Sequence, residues 1–592
     1  MAESIFKGCE FLLANLDCSD VFTPEDFNDE QRQIGETTEQ FIENEILPNI
    51  EAFEEHDFDL MSEKLREGGE LGLLMLDAPE EFGGLELDKA TSMLVAEKSA
   101  PSGAFGVAYL AHTGIGSLPL VYYGNNEQKE RYLEKLMTGE SLGAFALTEP
   151  EAGSDALGAR TTATLSEDGT HYILNGTKQF ITNAGFANLF TVFAKIDKEH
   201  FTGFLVERDF EGVEIGPEEK KMGIKGSSTC QLILNNAKIP VENRLGEVGK
   251  GHKIAFNVLN VGRFKLGAVC AGTMKYALSE GATYANVRKQ FNVPIASFGA
   301  IQEKLADVSA GAFAAESVVY RLAGLLDRKI AEIDKGVDDY YVQYQKAIEE
   351  YAAECAMAKV YCSETVAVAL DEVLQIHGGY GFISEYPIER MYRDERVQRI
   401  YEGTNEINRL LIPGTLIRKG LQGELPVQEN MAEAIKAVLK PFVADIDSSK
   451  LFAEEKALLE RQKTIALALI GAGAAKHGKK LQSEQEILLA IADMVIQIFA
   501  LEAVVLRAEK IHAGASAAKK QNLEAVVKVC AFDSAEKLNQ AAAKTVAYVA
   551  DESEAASYRN GVQQLGNYVA AGLLDAKRTL AAAALENEKY FF

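Results

Sequence analysis

The sequence predicts a mainly α fold with a small β domain inserted between helical regions, extended by a further helical bundle. Three observations carry that reading. At 592 residues the chain exceeds what one hydrophobic core organises, so several domains are expected. Apolar residues recur at helical spacing on both sides of residues 143–245 but alternate within that stretch. The composition, 47% hydrophobic and 25% charged with only 13 Pro, suits a folded, helix-rich chain. The expected divisions are 1–142 (N-terminal helical domain), 143–245 (β domain), 246–422 (helical bundle) and 423–592 (additional helical domain).

Charge and cysteine usage exclude several function classes. A net charge of −28 repels nucleic acid, and an anionic ligand would need a local basic pocket. Cys9, Cys18, Cys230, Cys270, Cys355, Cys362 and Cys530 are scattered and contain no CxxC, which fits reduced thiols in a cytoplasmic protein and no metal site. Cys355 and Cys362 are expected to pack on one helix face. The N-terminal apolar stretch, 11–16, is too short for a signal-peptide core. The most apolar segment, 487–505, is broken by Asp493, Gln497 and Glu502, so no membrane-spanning segment is expected.

Taken in order, residues 24–142 read as helices. Phe27-Asn-Asp-Glu-Gln-Arg32 opens an alternation at helical spacing that runs to Ile46 and stops at Leu47-Pro48-Asn49. Glu80-Glu-Phe-Gly-Gly-Leu85 is a loop. Residues 103–120 are rich in small side chains, including Gly103, Gly106, Gly114 and Gly116, which serve either close helix packing or a lipid-sized tunnel. Ala144-Phe-Ala-Leu-Thr148 is a short apolar run before the turn-rich Glu149-Pro-Glu-Ala-Gly-Ser-Asp155. Asn175-Gly176, between Tyr172 and Leu174 on one side and Lys178, Phe180 and Thr182 on the other, predicts a hairpin turn. Residues 189–196, 203–206 and 230–234 read as further strands.

Helical spacing returns at Gly251. Ile254, Val258, Val261, Phe264 and Ala268 form one apolar face, and Asn260 and Arg263 project away from it. The ordinary alternative for Arg263 is an exposed or ion-paired surface side chain. Helices continue to about residue 420, broken at Asn292-Val-Pro-Ile295 and at His377-Gly-Gly-Tyr-Gly-Phe382. Glycines in the second break expose amides where phosphates can sit, and an ordinary interhelical loop has the same composition. Beyond Leu425-Pro426 no cluster of chemically active residues stands out. Ser483 and Glu486, ahead of Ile487, are placed as a capping box. Gly473-Ala-Ala-Lys-His-Gly-Lys-Lys480 approximates a phosphate loop, but Lys480 replaces the required hydroxyl and a helical pattern precedes it, so it is rejected.

The candidate for chemistry is Glu402, set between Tyr401 and Gly403. A carboxylate beside a glycine can be approached by a ligand carbonyl through both its side chain and its backbone amide, which suits a general base next to a hydrogen-bond donor. On its own the stretch reads more simply as a capped helix start with a solvated Glu402. Its context changes that. Ala146-Leu-Thr-Glu-Pro-Glu-Ala-Gly-Ser-Asp155, Asn175-Gly-Thr-Lys-Gln-Phe-Ile-Thr-Asn183, Leu259-Asn-Val-Gly-Arg263, Arg288-Lys-Gln-Phe291, Gln375-Ile-His-Gly-Gly-Tyr-Gly381 and Arg399-Ile-Tyr-Glu-Gly-Thr404 resemble, in order and spacing, the motifs of the acyl-CoA dehydrogenase family. The resemblance spans roughly residues 30–415, and the extra C-terminal helices are similar to those of the very-long-chain branch.

The resemblance implies bound FAD and α,β-desaturation of a fatty acyl-CoA, with long chains and an electron-transfer flavoprotein as acceptor as the leading expectation. FAD contacts carry over to Phe145, Leu147, Thr148, Ser154, Phe180, Thr182, Gln375, Gly378, Gly379, Thr404 and Glu406. Arg288, Phe291 and Gln302 match residues that reach the FAD of a neighbouring subunit, implying a homodimer or homotetramer. Ser154, Asn260, Arg263 and Gly403 match substrate contacts, and Glu402 matches the base, its own amide donating to the thioester carbonyl. The C-terminal region is expected to serve assembly or contact with a membrane surface. Alternatives of the same fold are an oxygen-using acyl-CoA oxidase and a helical scaffold without cofactor. Three departures stand out: Phe180 where the family usually has Trp, Glu406 in place of Gln, and Gly262 where a minority of members carry their base. A glycine cannot take a proton, which favours Glu402.

Overall fold

The computed structural model describes residues 6–337, 339–441, 446–447 and 449–592. The chain forms two compact units, one of Met1–Phe27, Cys270–Arg328 and Glu350–Phe592, the other of Asn28–Val269 and Lys329–Glu349.

The unit that begins at Asn28 opens with α1 (Asp29–Phe41), where Asn28 Oδ1 accepts the Gln31 amide at 2.8 Å and Gln31 returns a bond to the Asn28 amide. A wider, π-helical turn (Ile42–Ile46) carries the helical spacing on to Pro48. Then come α2 (Ile50–Glu54), α3 (Phe58–Glu70), α4 (Lys89–Ser99), α5 (Ala104–Leu110), α6 (Leu118–Tyr123) and α7 (Asn126–Thr138). Phe41, Phe53, Met61, Leu65, Phe105 and Tyr109 form their shared core. A Cβ on Gly106 would lie 2.9 Å from Ser102 Oγ, so close packing accounts for that glycine.

The β domain is a single sheet of β1 (Gly143–Ala146), β2 (Thr162–Leu165), β3 (His171–Thr182), β4 (Leu189–Ile196), β5 (His200–Glu207), β6 (Val213–Ile215), β7 (Thr229–Pro240) and β8 (Arg244–Leu245). The order is β6-β7-β3-β2-β4-β5-β8, with β1 paired in parallel to β4. Leu174, Phe190, Phe204, Leu232 and Ile239 are among the side chains of its core. The hairpin expected at Asn175-Gly176 is not there. β3 continues through both residues, with a shift of its register against β7 between Leu174 and Gly176, and its turn with β2 falls at Asp168-Gly169, where Asp168 Oδ1 accepts the Thr170 amide and Gly169 has φ 71°. Gly176 instead answers a close approach: a Cβ there would sit 2.3 Å from Thr161 Oγ1.

Next are α8 (Gly251–Val287), in which the boundary between the units falls, the short hairpin of β9 (Lys289–Gln290) and β10 (Val293–Pro294), α9 (Gly299–Ala331) and α10 (Tyr340–Glu350). The remaining helices are α11 (Ala352–His377), α12 (Pro387–Glu395), α13 (Asn405–Leu421), α14 (Val427–Val438), α15 (Ala453–His477), α16 (Gln485–His512), α17 (Ala517–Val549), α18 (Glu552–Leu565) and α19 (Leu573–Asn587). Buried ion pairs tie the late helices to the earlier ones of their unit: Arg321 Nη2 to Glu502 Oε2 at 2.5 Å and Arg507 Nη1 to Glu316 Oε2 at 2.6 Å. Ser483 closes a 3₁₀ turn rather than capping α16, whose N-cap is Glu484 without a side-chain bond. Cys355 and Cys362 are fully buried on α11.

Three helical stretches, Ala104–Tyr123, Gly251–Val287 and Gln485–His512, are long and apolar enough by composition to cross a membrane, contrary to the expectation from uninterrupted runs. Their most apolar windows are 83%, 72% and 83% buried inside the protein, the behaviour of helices that are apolar all round because they fill a core.

Candidate active site

Glu402 sits in the turn between the 3₁₀ segment Arg396–Arg399 and α13, at φ 58°, followed by Gly403 at φ 79°. Two consecutive left-handed residues, the first with a side chain, are strained and must be held by their surroundings. Side chains from α11 and α13 do the holding. Asn408 Nδ2 donates to the carbonyls of Gly403 (2.8 Å), Thr404 (3.1 Å) and Glu402 (3.4 Å). Lys359 Nζ, from α11, donates to Gly403 O at 2.9 Å and to Asn405 Oδ1 at 2.7 Å. Asn405 Nδ2 continues to Ser363 Oγ and Glu364 Oε1, and Glu364 is gripped by both terminal nitrogens of Arg409 at 2.6 and 2.7 Å. Burial pushes the Glu364 carboxyl up, but the Arg409 hydrogen bonds and charge outweigh it and hold it below its usual range. Thr404 caps α13 through a bond from the Ile407 amide, and Glu406 is exposed on its first turn, where a carboxylate suits the helix dipole. Glu395, on α12, is pushed up to about 7 by burial against the opposing charges of Arg399 and Arg396.

In the same unit Arg288, Gly378 and Gly379 line one cavity of about 490 Å³ together with Tyr284, His377 and Tyr380. Gly378 has φ 59°, and a Cβ on either glycine would meet nothing within 4 Å, so both present bare backbone to open space. His377 stacks on Tyr284 at 4.1 Å and its Nδ1–H donates to Val373 O at 2.9 Å. The Arg288 guanidinium lies 5.3 Å from the centre of the Tyr380 ring. Gln375 is exposed on the last turn of α11, and its carbonyl accepts the Gly378 amide. Gln302 is spent on Ala296 O at 3.0 Å, and Phe291, at φ 53°, is 87% exposed. The cavity does not include Glu402, Thr404 or Glu406, which lie in and just after the left-handed turn.

In the other unit Phe145 lies on β1 opposite Thr191, and Leu147 and Thr148 follow the end of the strand, with Thr148 O accepting the Gln179 amide at 2.8 Å. Ser154 is exposed in the loop that follows. Phe180 occupies a bulge in β3, between Lys178 and Ile181, at φ 59°, and its ring is 62% exposed. The bulge re-aims this ring while Thr182 resumes the register opposite Thr229. Asn260 and Arg263 are only 4% and 6% exposed, and Arg263 Nη1 donates to Asn260 Oδ1 at 2.8 Å, so the surface alternative for Arg263 does not hold.

Lys359, Asn405 and Asn408 went unread in the sequence, as did the buried pair of Glu149 and Lys178. Asn408 had a local signal, four residues after Thr404. Lys359 had none, being 44 residues from the carbonyl it binds. Each unit by itself carries features that suit a flavin dinucleotide: in one, the bare amides of the glycine pair and a guanidinium beside them suit phosphates; in the other, the exposed ring of Phe180 on the sheet offers a flat surface of the kind an isoalloxazine stacks on.

The comparisons agree with this chemistry. Family models described as the acyl-CoA dehydrogenase N-terminal, middle and C-terminal domains match residues 28–140, 144–237 and 249–416, and a second acyl-CoA dehydrogenase C-terminal domain matches 461–562. The chain is 45% identical over 589 residues to a probable acyl-CoA dehydrogenase of Bacillus subtilis, covering 100% of this chain and 99% of that one. It is 34% identical to the mitochondrial very long-chain specific acyl-CoA dehydrogenase of Homo sapiens, over 81% of this chain and 75% of that protein. Its fold superposes with a TM-score of 0.96 on an acyl-CoA dehydrogenase complexed with FAD from Bacillus anthracis, 48% identical, over 99% and 100% of the two chains.

Proposed function

The chain belongs to the acyl-CoA dehydrogenase family and uses FAD, and on that premise we propose that it desaturates long-chain fatty acyl-CoA to the trans-2-enoyl-CoA and passes the electrons to an electron-transfer flavoprotein. The observation that carries the reading is the base turn: Glu402 and Gly403 in consecutive left-handed conformations, with their carbonyls tied back to Asn408 and Lys359. A trans peptide sets its N–H opposite its carbonyl, so the amides of Gly403 and Thr404 face away from that clamp.

In this reading Glu402 takes the proton from C2 of the acyl chain. The charge that develops on the thioester oxygen would be stabilised by the Glu402 amide, the donor that the family resemblance implies. FAD, when bound, supplies the acceptor for the hydride that leaves C3. In the unit that holds Glu402, Gln375, Gly378, Gly379, Thr404 and Glu406 would meet FAD, and Arg288 would reach the FAD of a neighbouring subunit; in the other unit Phe180 and Thr182 would meet it. Asn260 and Arg263, joined to each other, hold the substrate.

Long chains are supported by the likeness to very-long-chain relatives over 81% of this chain. Residues 423–592 serve assembly into a homodimer or homotetramer or contact with a membrane surface, and a cytoplasmic setting is supported by seven cysteines that form no disulfide. A panel of acyl-CoAs of graded length, read with both a dye acceptor and a peroxide assay, tests the whole. Fast dye reduction by palmitoyl-CoA with little peroxide is expected. Activity confined to short chains overturns the chain-length assignment, and peroxide matching turnover overturns the acceptor.

A further inference from the structure

Glu402 needs more than its own carboxylate to act as a base. Proton removal requires the side chain at the α-carbon while the backbone of the same residue holds the carbonyl, so the turn must present both to one thioester. A left-handed residue with a side chain does not keep that form unaided, and a relaxed turn would swing the carboxylate away from the amide. Two side chains oppose the relaxation. Asn408 spreads one amide over three successive carbonyls, and Lys359 brings an ammonium to the middle one. Lys359 is 0% exposed, a costly place for a cation unless its bonds are well made. Its second bond, to Asn405 Oδ1, fixes the first residue of α13, so the ammonium joins the turn to the helix behind it.

We propose that Lys359 and Asn408 are positioning residues for the base: together they hold the Glu402–Gly403 turn in its left-handed form, so that carboxylate and amide reach the α-carbon and carbonyl of one thioester. The proposal rests on Glu402 being the base. Neither side chain touches substrate in this account, and both act through the backbone.

The test separates proton removal from flavin reduction. A 3-thia-acyl-CoA carries sulfur at position 3 and has no hydrogen there to lose as hydride. In D₂O the base can only take the C2 hydrogen as a proton, leaving the electron pair on C2 and the carbonyl; the carboxyl proton exchanges with solvent, and the base returns a deuteron to the same carbon. Mass spectrometry of the recovered analogue reads this exchange without any turnover. Lys359→Met and Asn408→Ala are expected to retain flavin absorbance and to bind the analogue within about threefold of the parent, yet to exchange at least about tenfold more slowly, because small misplacements of reacting groups cost that much or more. Lys359→Arg, which restores a cationic donor, recovers part of the rate. Exchange at the parental rate in both variants overturns the proposal, and so does a loss fully explained by weaker binding. If Lys359→Met does not fold, Asn408→Ala decides it. Parental exchange in Glu402→Gln would instead overturn the assignment of the base itself, a result distinguishable from the other two.

Discussion

Lys178 Nζ lies 2.7 Å from Glu149 Oε1, with the two side chains 0% and 6% exposed. The same carboxylate accepts the Thr161 hydroxyl and the amides of Arg160 and Thr161, so one buried acid joins the bulged strand β3 to the loop that carries Ser154. Removing either partner strands the other in the core. Glu149→Ala or Lys178→Met is expected to cost about 3–5 kcal/mol in denaturant unfolding, the range for breaking a buried pair. A loss below about 1 kcal/mol would mean that water reaches the pair.

The same acid has a pH signature. Burial pushes Glu149 up, but the Lys178 charge and the hydrogen bonds outweigh it, and its carboxyl is held below the usual range. A depressed folded value contributes stability that is present above the unfolded carboxyl pKa, about 4.3, and is lost as pH falls below it. Unfolding free energies should therefore fall less steeply below about pH 4.3 in Glu149→Gln than in the parent. Parallel curves would contradict the assignment.

Glu402→Gln is expected to keep flavin and acyl-CoA binding and to lose at least about 10²-fold in turnover, the low end for removing a general base. Stopped-flow flavin reduction with a saturating acyl-CoA is the direct measurement. Near-parental reduction would remove Glu402 from the mechanism.

His112 predicts acid sensitivity elsewhere. Its Nε2–H donates to Leu136 O and its Nδ1 accepts the Gly143 amide, both at 2.9 Å, linking α7 to the start of β1. Protonation would set a second donor against the Gly143 amide, and burial, opposed by the Leu136 bond, lowers its pKa to about 4. The folded value lies below the unfolded one near 6.5, so His112 contributes stability fully present above that pH and lost as pH falls toward 4, on the order of 3 kcal/mol in all. His112→Gln should flatten the dependence of thermal midpoint on pH across that window. An unchanged slope would assign the acid sensitivity to other groups.

Phe180 separates strain from binding. Its left-handed backbone is strained by about 1–2 kcal/mol and its ring is mostly exposed. Phe180→Gly should leave the stability of the cofactor-free protein unchanged or slightly raised while FAD is released more readily, read by flavin fluorescence on dilution. A large fall in stability would mean the ring serves the fold.

Periodicity and motif order determined a great deal from sequence. The start of α8 at Gly251, the span of β4 at 189–196 and the apolar face of α8 follow from local spacing, because a helix or strand buries side chains at a fixed repeat. Tertiary structure decided what local spacing does not encode. Asn175-Gly176 has the composition of a turn, but only the nearness of Thr161 shows that the glycine makes room for that residue's side chain. Arg263 carries the pattern of a surface residue, and only its surroundings bury it against Asn260. Glu402, proposed as the base, is marked in the sequence by the motif around it. That its turn is left-handed, and is held by a buried lysine 44 residues earlier, is not, because the partner of a buried polar group is set by how distant segments pack.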